Sequence, residues 1–216
     1  MVALFFPPPF GAPPVSSMAF QASATSGATT VTCPTVVPYD VGVLVDWGYN
    51  FASPSIPAEV VPSGFTKVTG DTGASIYRGT VSYKVFNGSE GSSSITGMAA
   101  EFVNKTLMVF RPNGVVQTVS ASTWLNEITT GNPGAQAISA SGQAAPLIRF
   151  AAANVNVNTT PDFSAGSWDT TITNTGTSGV RQRVNFTIQN SSPSDDSADM
   201  VDYGTNWLTS GWLRFA

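Results

Sequence analysis

The chain of 216 residues carries a formal net charge of −4, with only 10% of its residues charged against 42% hydrophobic. That length suits one well-buried β domain, while nine scattered basic residues exclude a nucleic-acid surface, which needs clustered Lys and Arg to displace counterions. Histidine is absent and Cys33 is the sole cysteine, which excludes Ser-His-Asp triads, His-ligated metals, cysteine zinc clusters and intrachain disulfides.

Residues 1–17, MVALFFPPPFGAPPVSS, interleave five prolines with Phe5, Phe6 and Phe10. Proline fixes φ and donates no backbone hydrogen bond, so this stretch reads as an extended, polyproline-II-like assembly arm that docks on a partner or a neighbouring copy. It has no basic n-region and its apolar run stops at Pro7, so it does not read as a signal peptide. No later segment has the apolar length of a membrane-spanning helix, and no membrane insertion is expected.

Residues 18–216 read as a single β-sandwich domain. Met18–Ala24 and Thr29–Cys33 suggest a first hairpin turning at Ser26-Gly27. Val41, Val43, Val45 and Trp47 then alternate with Gly42, Leu44, Asp46 and Gly48, a strand pattern on which the domain is organised. Ala74–Phe86 and Lys105–Arg111 are expected to pair around it. After the organising strand, Pro54, Pro57 and Pro62 exclude a central strand, and Ser63-Gly64-Phe65 makes a turn presenting an aromatic. Asn87–Ser94 is a polar loop. Val115–Ala121 reads as a strand nearer an edge. Thr123–Ile128 has the one trace of helical character, and Thr129–Ala145 reads as a long surface loop. Pro146–Ala151 resumes the sheet, Val180–Gln189 alternates most regularly, and Trp207–Phe215 is the last strand. Strands at this spacing without amphipathic helices predict an all-β, antiparallel sandwich of Ig-like or jelly-roll type, with a Pro-rich N-terminal arm.

The chemistry-bearing residues are sparse. Asp195, Asp196, Asp199 and Asp202 are the densest carboxylates and a candidate calcium loop, but they lack the EF-hand spacing, and the plainer reading is a solvated acidic loop. Asp46, Glu59, Glu90, Glu101 and Asp169 supply carboxylates, yet no spacing pairs two of them for glycoside hydrolysis. No phosphate loop and no G-x-S-x-G elbow is present. Trp47, Trp207 and Trp212 lie within strand patterns and read as core, which leaves Trp124 and Trp168, in loops, as a candidate glycan platform. Cys33 reads as a small apolar residue at a strand end. No catalytic, cofactor-binding or metal-binding residue is expected.

Taken together, VGVLVDWGYN, VVPSGFTKV, YRGTVSYKVFNGSEGSSSITGM, NKTLMVFRP, APLIRFA and MVDYGTNWLTSGWLRF resemble the small β-sandwich virion proteins of tailed bacteriophages. Phe65 stands where that pattern has Trp. The resemblance implies a non-enzymatic virion structural protein of the tail, its fibres or the capsid surface, partnered by copies of itself and by other virion proteins. It implies location in the phage particle. A carbohydrate-binding module that contacts a host surface glycan is the alternative.

Overall fold

The computed structural model describes residues 13–52, 55–70, 76–129, 135–155, 160–176, 180–200 and 206–216. Among them there is no helix; sixteen strands pair antiparallel into a β-sandwich. The first sheet orders as β1 (Met18–Ser26), β7 (Phe102–Pro112), β3 (Val41–Tyr49), β5 (Tyr77–Val85) and β4 (Thr66–Gly70). The second orders as β13 (Thr170–Thr175), β14 (Arg181–Gln189), β11 (Leu147–Val155), β16 (Asn206–Phe215) and β8 (Val119–Ala121), with β9 (Leu125–Thr129) also on β16. The organising strand sits where its apolar pattern predicts, central in its sheet and paired on either side by β5 and β7.

Inner faces meet in one apolar core. Val43, Val45, Trp47, Met108 and Phe110 from the first sheet pack on Ile148, Phe150, Val184, Phe186 and Trp207 from the second. Phe110 lies edge-on to Phe150 and Phe186 at 6.0 and 5.2 Å. Each outer face is covered too. A ribbon of β2 (Thr30–Thr32) and β6 (Ser94–Thr96) closes Val31, Cys33, Ile95 and Phe86 over Leu44, Leu107 and Val109. A small sheet of β10 (Gln136–Ile138), β15 (Asp196–Met200) and β12 (Phe163–Ala165) closes Ile138, Ala140 and Ala198 over Leu147, Ala151, Ala153 and Leu208. The result is four layers, and it explains why every residue of β3 and β11 is buried.

The pairings reveal a duplication. Val41 lies opposite Val85 and Phe110, and Ile148 lies opposite Ile188 and Leu213. One step along, Val43 faces Tyr83 and Met108, while Phe150 faces Phe186 and Gly211. β4 joins β5 as β13 joins β14: Thr66 and Lys67 face Tyr83 and Ser82, and Thr170 and Thr171 face Phe186 and Asn185. β1 runs along β7 with a bulge after Phe20, and β8 followed by β9 runs along β16 in the same register, the bulge widened to Ser122–Trp124. The covers repeat, β2 on β6 and β10 on β15. So do the entry strokes: Asn113 N–H donates to Ser17 O and Ala216 N–H to Thr118 O, both at 2.9 Å, and Val15 and Val116 each plug the core. Residues 13–113 and 114–216 are therefore two copies of one unit, packed through the same face as in an isologous dimer. β12 is the exception, and the matching stretch of the first unit carries Pro57 and Pro62, which withhold ladder donors.

Several expectations change. β1 and β2 form no hairpin: the turn after Ser26 switches layers, because Phe20 packs inward on Phe110 and Phe186 at 5.8 and 5.1 Å while Val31 and Cys33 belong to the outer cover. Thr123–Ile128 is not helical; most of it is β9, extended by its ladder with β16. Thr129–Ala145 holds a strand, β10, whose Ile138 helps cover the second sheet. Pro13–Ser17, assigned by sequence to the arm, packs on its own sandwich: Ser16 Oγ donates to Asn113 Oδ1 at 2.7 Å and Val15 is core.

Truncating the central ring, Phe110→Ala, is expected to cost about 3–5 kcal/mol in a urea unfolding titration, as large aromatics removed from a packed core do. Phe51→Ala, at a ring 70% exposed, should stay within about 0.5 kcal/mol.

Candidate functional site

Trp124 does not form a glycan platform. It is 8% exposed, stacks on Phe150 at 6.1 Å, and covers the glycine face of Gly211. Sequence placed it in a loop, but the widened bulge before β9 turns its ring into the core. Trp168 is half-buried, packed on Phe163 at 6.1 Å with the Arg149 guanidinium 5.9 Å from its ring centre. Its Nε1 donates to Ala165 O, so it anchors the cover rather than pairing with Trp124. Trp47, Trp207 and Trp212 are core, as expected. Phe5, Phe6 and Phe10 lie outside the described residues.

Most of the carboxylates are engaged one by one. Glu59 pairs with Lys67 at 2.6 Å and Arg78 at 3.5 Å. Glu90 pairs with Lys84 at 3.1 Å and accepts from the Asn87 and Gly88 amides. Glu101 accepts from the Phe51 and Ala52 amides at 2.8 and 2.7 Å, which holds the turn after β3. Asp169 anchors through its own N–H on Thr187 Oγ1. Asp195 accepts from the amides of Ala140 and Ser141, and Asp196 pairs with Arg149 at 2.9 Å. These two carboxylates thus tie β15 to its neighbours. Asp202 lies outside the described residues, and among the described residues no three such ligands gather for a metal.

Two features stand out that sequence patterns did not mark. On the first sheet, Tyr49 stacks on Tyr77 at 4.6 Å and 6°, with Phe102 at 5.6 Å and Phe51 at 6.1 Å, and Phe51 projects into solvent. The alternation that makes Val41–Tyr49 a strand carries its last inner residue into this aromatic end. A cleft of about 200 Å³ also lies beside the Pro-Ser-Gly-Phe corner, lined by Pro62, Phe65, Lys84, Phe86 and Glu90. Its two charges neutralise each other, and Phe65, expected to project, lies edge-on to Phe86 at 6.5 Å.

Besides these two there is a buried charge pair. Asp46 and Lys105 face each other across β3 and β7, at 1% and 0% side-chain exposure, with Lys105 Nζ 2.6 Å from Asp46 Oδ1. The backbone of Met98 closes over them: its N–H donates to Asp46 Oδ2 at 2.6 Å and its carbonyl accepts from Nζ at 2.8 Å. Gly97 permits this approach, since a Cβ there would collide with Asp46 Oδ2. Burial pushes the Asp46 carboxyl above its ordinary range, opposed by the Lys105 charge and by hydrogen bonds, and pushes Lys105 below its own, opposed by Asp46. Both shifts favour the uncharged forms.

Cys33 is buried in the outer cover and free. Desolvation, then the nearby Glu90 charge, raises its thiol above the ordinary value, with Lys84 pulling the other way. The thiolate is thus suppressed at neutral pH. Native protein should leave a chromogenic disulfide reagent unreacted, with one thiol appearing on unfolding; rapid native reaction would contradict this burial. Trp124→Ala is expected to lower stability by about 3–5 kcal/mol in the same assay, as a core truncation does.

Set against known proteins, the chain matches no family model, no curated protein and no solved structure.

Proposed function

We propose that this chain is a non-enzymatic structural protein of a bacteriophage particle, part of the tail, its fibres or the capsid surface, assembling in many copies through its sandwich and its N-terminal arm. The observation that carries the reading is the mismatch between repeat and arm. The two units run from Pro13 to Ala216 with matching entry strokes, and residues 1–12 have no counterpart in the second unit. Those twelve hold Phe5, Phe6, Phe10 and the run Pro7-Pro8-Pro9. Burying each phenylalanine is worth about 1.5–3 kcal/mol, and an extended segment of this length reaches roughly 37 Å, far enough to meet a neighbouring copy. The low-charge Ser/Thr/Asn-rich surface and the resemblance of the strand and corner motifs support the same reading.

Glycan contact at the host surface is the second reading. Its supporting observation is the exposed Phe51 at the end of the Tyr49, Tyr77 and Phe102 stack, an aromatic face beside the polar Asn50 and Glu101. On this reading Phe51→Ala abolishes adsorption to host polysaccharide without changing the melting temperature.

The test of the assembly reading is deletion of residues 1–12, keeping Val15 in the core. The shortened protein should melt as the full chain does, yet fail to self-associate in sedimentation velocity and fail to join particles in complementation. Normal assembly without the arm would refute the proposal.

A further inference from the structure

We propose that Asp46 and Lys105 condense into an isopeptide bond, a covalent staple between β3 and β7 beneath the backbone of Met98. The two side chains are directly opposed in the ladder, and Nζ lies 2.6 Å from Oδ1, so the carboxyl carbon is one bond beyond a contact already made. Two groups held this way react as if at very high concentration, with effective molarities of about 10⁵–10⁸ M in well-oriented cases.

The hydrogen bonds around the pair suit the amide better than the ions. An ammonium has three N–H groups, and among the described residues two acceptors meet this one, Asp46 Oδ1 and Met98 O. The amide product has one N–H and one carbonyl oxygen. Met98 O accepts the first, and Met98 N–H, now on Oδ2, donates to the second. During reaction the same N–H faces the oxygen on which negative charge develops.

The step balances without a co-reactant. A proton passes from the Lys105 ammonium to the Asp46 carboxylate, giving amine and acid, the forms that burial favours. The Nζ lone pair attacks Cγ and the C–N bond forms. A second proton moves from nitrogen to Oδ1, the Cγ–Oδ1 bond breaks, and one water leaves.

The second unit supplies an internal control. Asp46 faces Thr80 and Lys105; the matching Ala153 faces Arg183 and Leu208. Ala153 and Leu208 are both core. The fold thus fills this position with plain hydrocarbon, and a buried ion pair, which seldom stabilises more than such a replacement, is not something the unit requires.

Intact-mass spectrometry of the denatured full-length chain decides the matter. The expected mass is lower than that of the sequence by one water, and proteolysis should yield the Asp46 peptide joined to the Lys105 peptide. Asp46→Asn should instead lose one ammonia. The double variant Asp46→Ala/Lys105→Leu, copying the second unit, should show its full sequence mass and unlinked peptides. A wild-type chain at full sequence mass, with the two peptides recovered separately, overturns the proposal whether or not any variant folds.

Discussion

Every strand at the centre of this molecule is shut off from water on both faces, and the rest of the architecture follows from that. A single sheet packed on another leaves an outer face, which alternation normally makes polar. Here Leu44, Leu107 and Val109 on the outside of the first sheet, and Leu147, Ala151 and Leu208 on the outside of the second, are as apolar as the inner faces. Each sheet therefore needs a lid, and each unit makes one from its own chain by pairing the segment before its central strand with the segment before its last strand. Burial on both faces also leaves no wet side on which to place a charge, so Asp46 and Lys105, on the outer face of β3 and β7, are sealed in together.

The two units keep their pairing and exchange their chemistry. Val81 and Val184, Thr106 and Thr209, and Arg111 and Arg214 stand at matching places in the ladders. Elsewhere volume is conserved and identity is not. Trp47 opposes Asn104 in the first unit, and at the matching pair Asn154 opposes Trp207, the same two residue types exchanged between strands. Gly79 is flat because the Trp207 indole lies where its Cβ would be, and Gln182 stands at the same place in the second unit, bonded to Thr106 across the core. Where the first unit buries a charge pair, the second buries Ala153 and Leu208.

How far the sequence carried was set by how local each signal is. β3, β5 and β14 were legible because β-branched and aromatic residues at period two need no knowledge of the partner strand, and β7 because its short run is apolar on both faces. The β1 to β2 turn was not, since Ser26-Gly27 marks a reversal without stating whether the chain returns beside itself or changes layer. Trp124 looked free because it falls outside any alternating strand pattern; only its contact with Phe150 and Gly211 makes it core. The duplication was hidden, as it lives in hydrogen-bond register and not in residue identity. Asp46 sits within an apolar strand pattern and Lys105 stands at the head of another, but nothing in their spacing joined them. Phe51 gave no sign beyond being aromatic.

A unit with one face left bare cannot persist alone. Separated from its mate, residues 13–113 would expose Val43, Trp47, Met108 and Phe110, far more apolar surface than a stable monomer carries. The most direct measurement is to split the chain at the junction, between Asn113 and Gly114, and co-express the two pieces. If the molecule is two equivalent units joined through one shared face, the pieces copurify as a 1:1 complex with the β spectrum of the intact chain, and neither is soluble as a monomer by itself. Two independently folded monomers, or pieces that never associate, would contradict it.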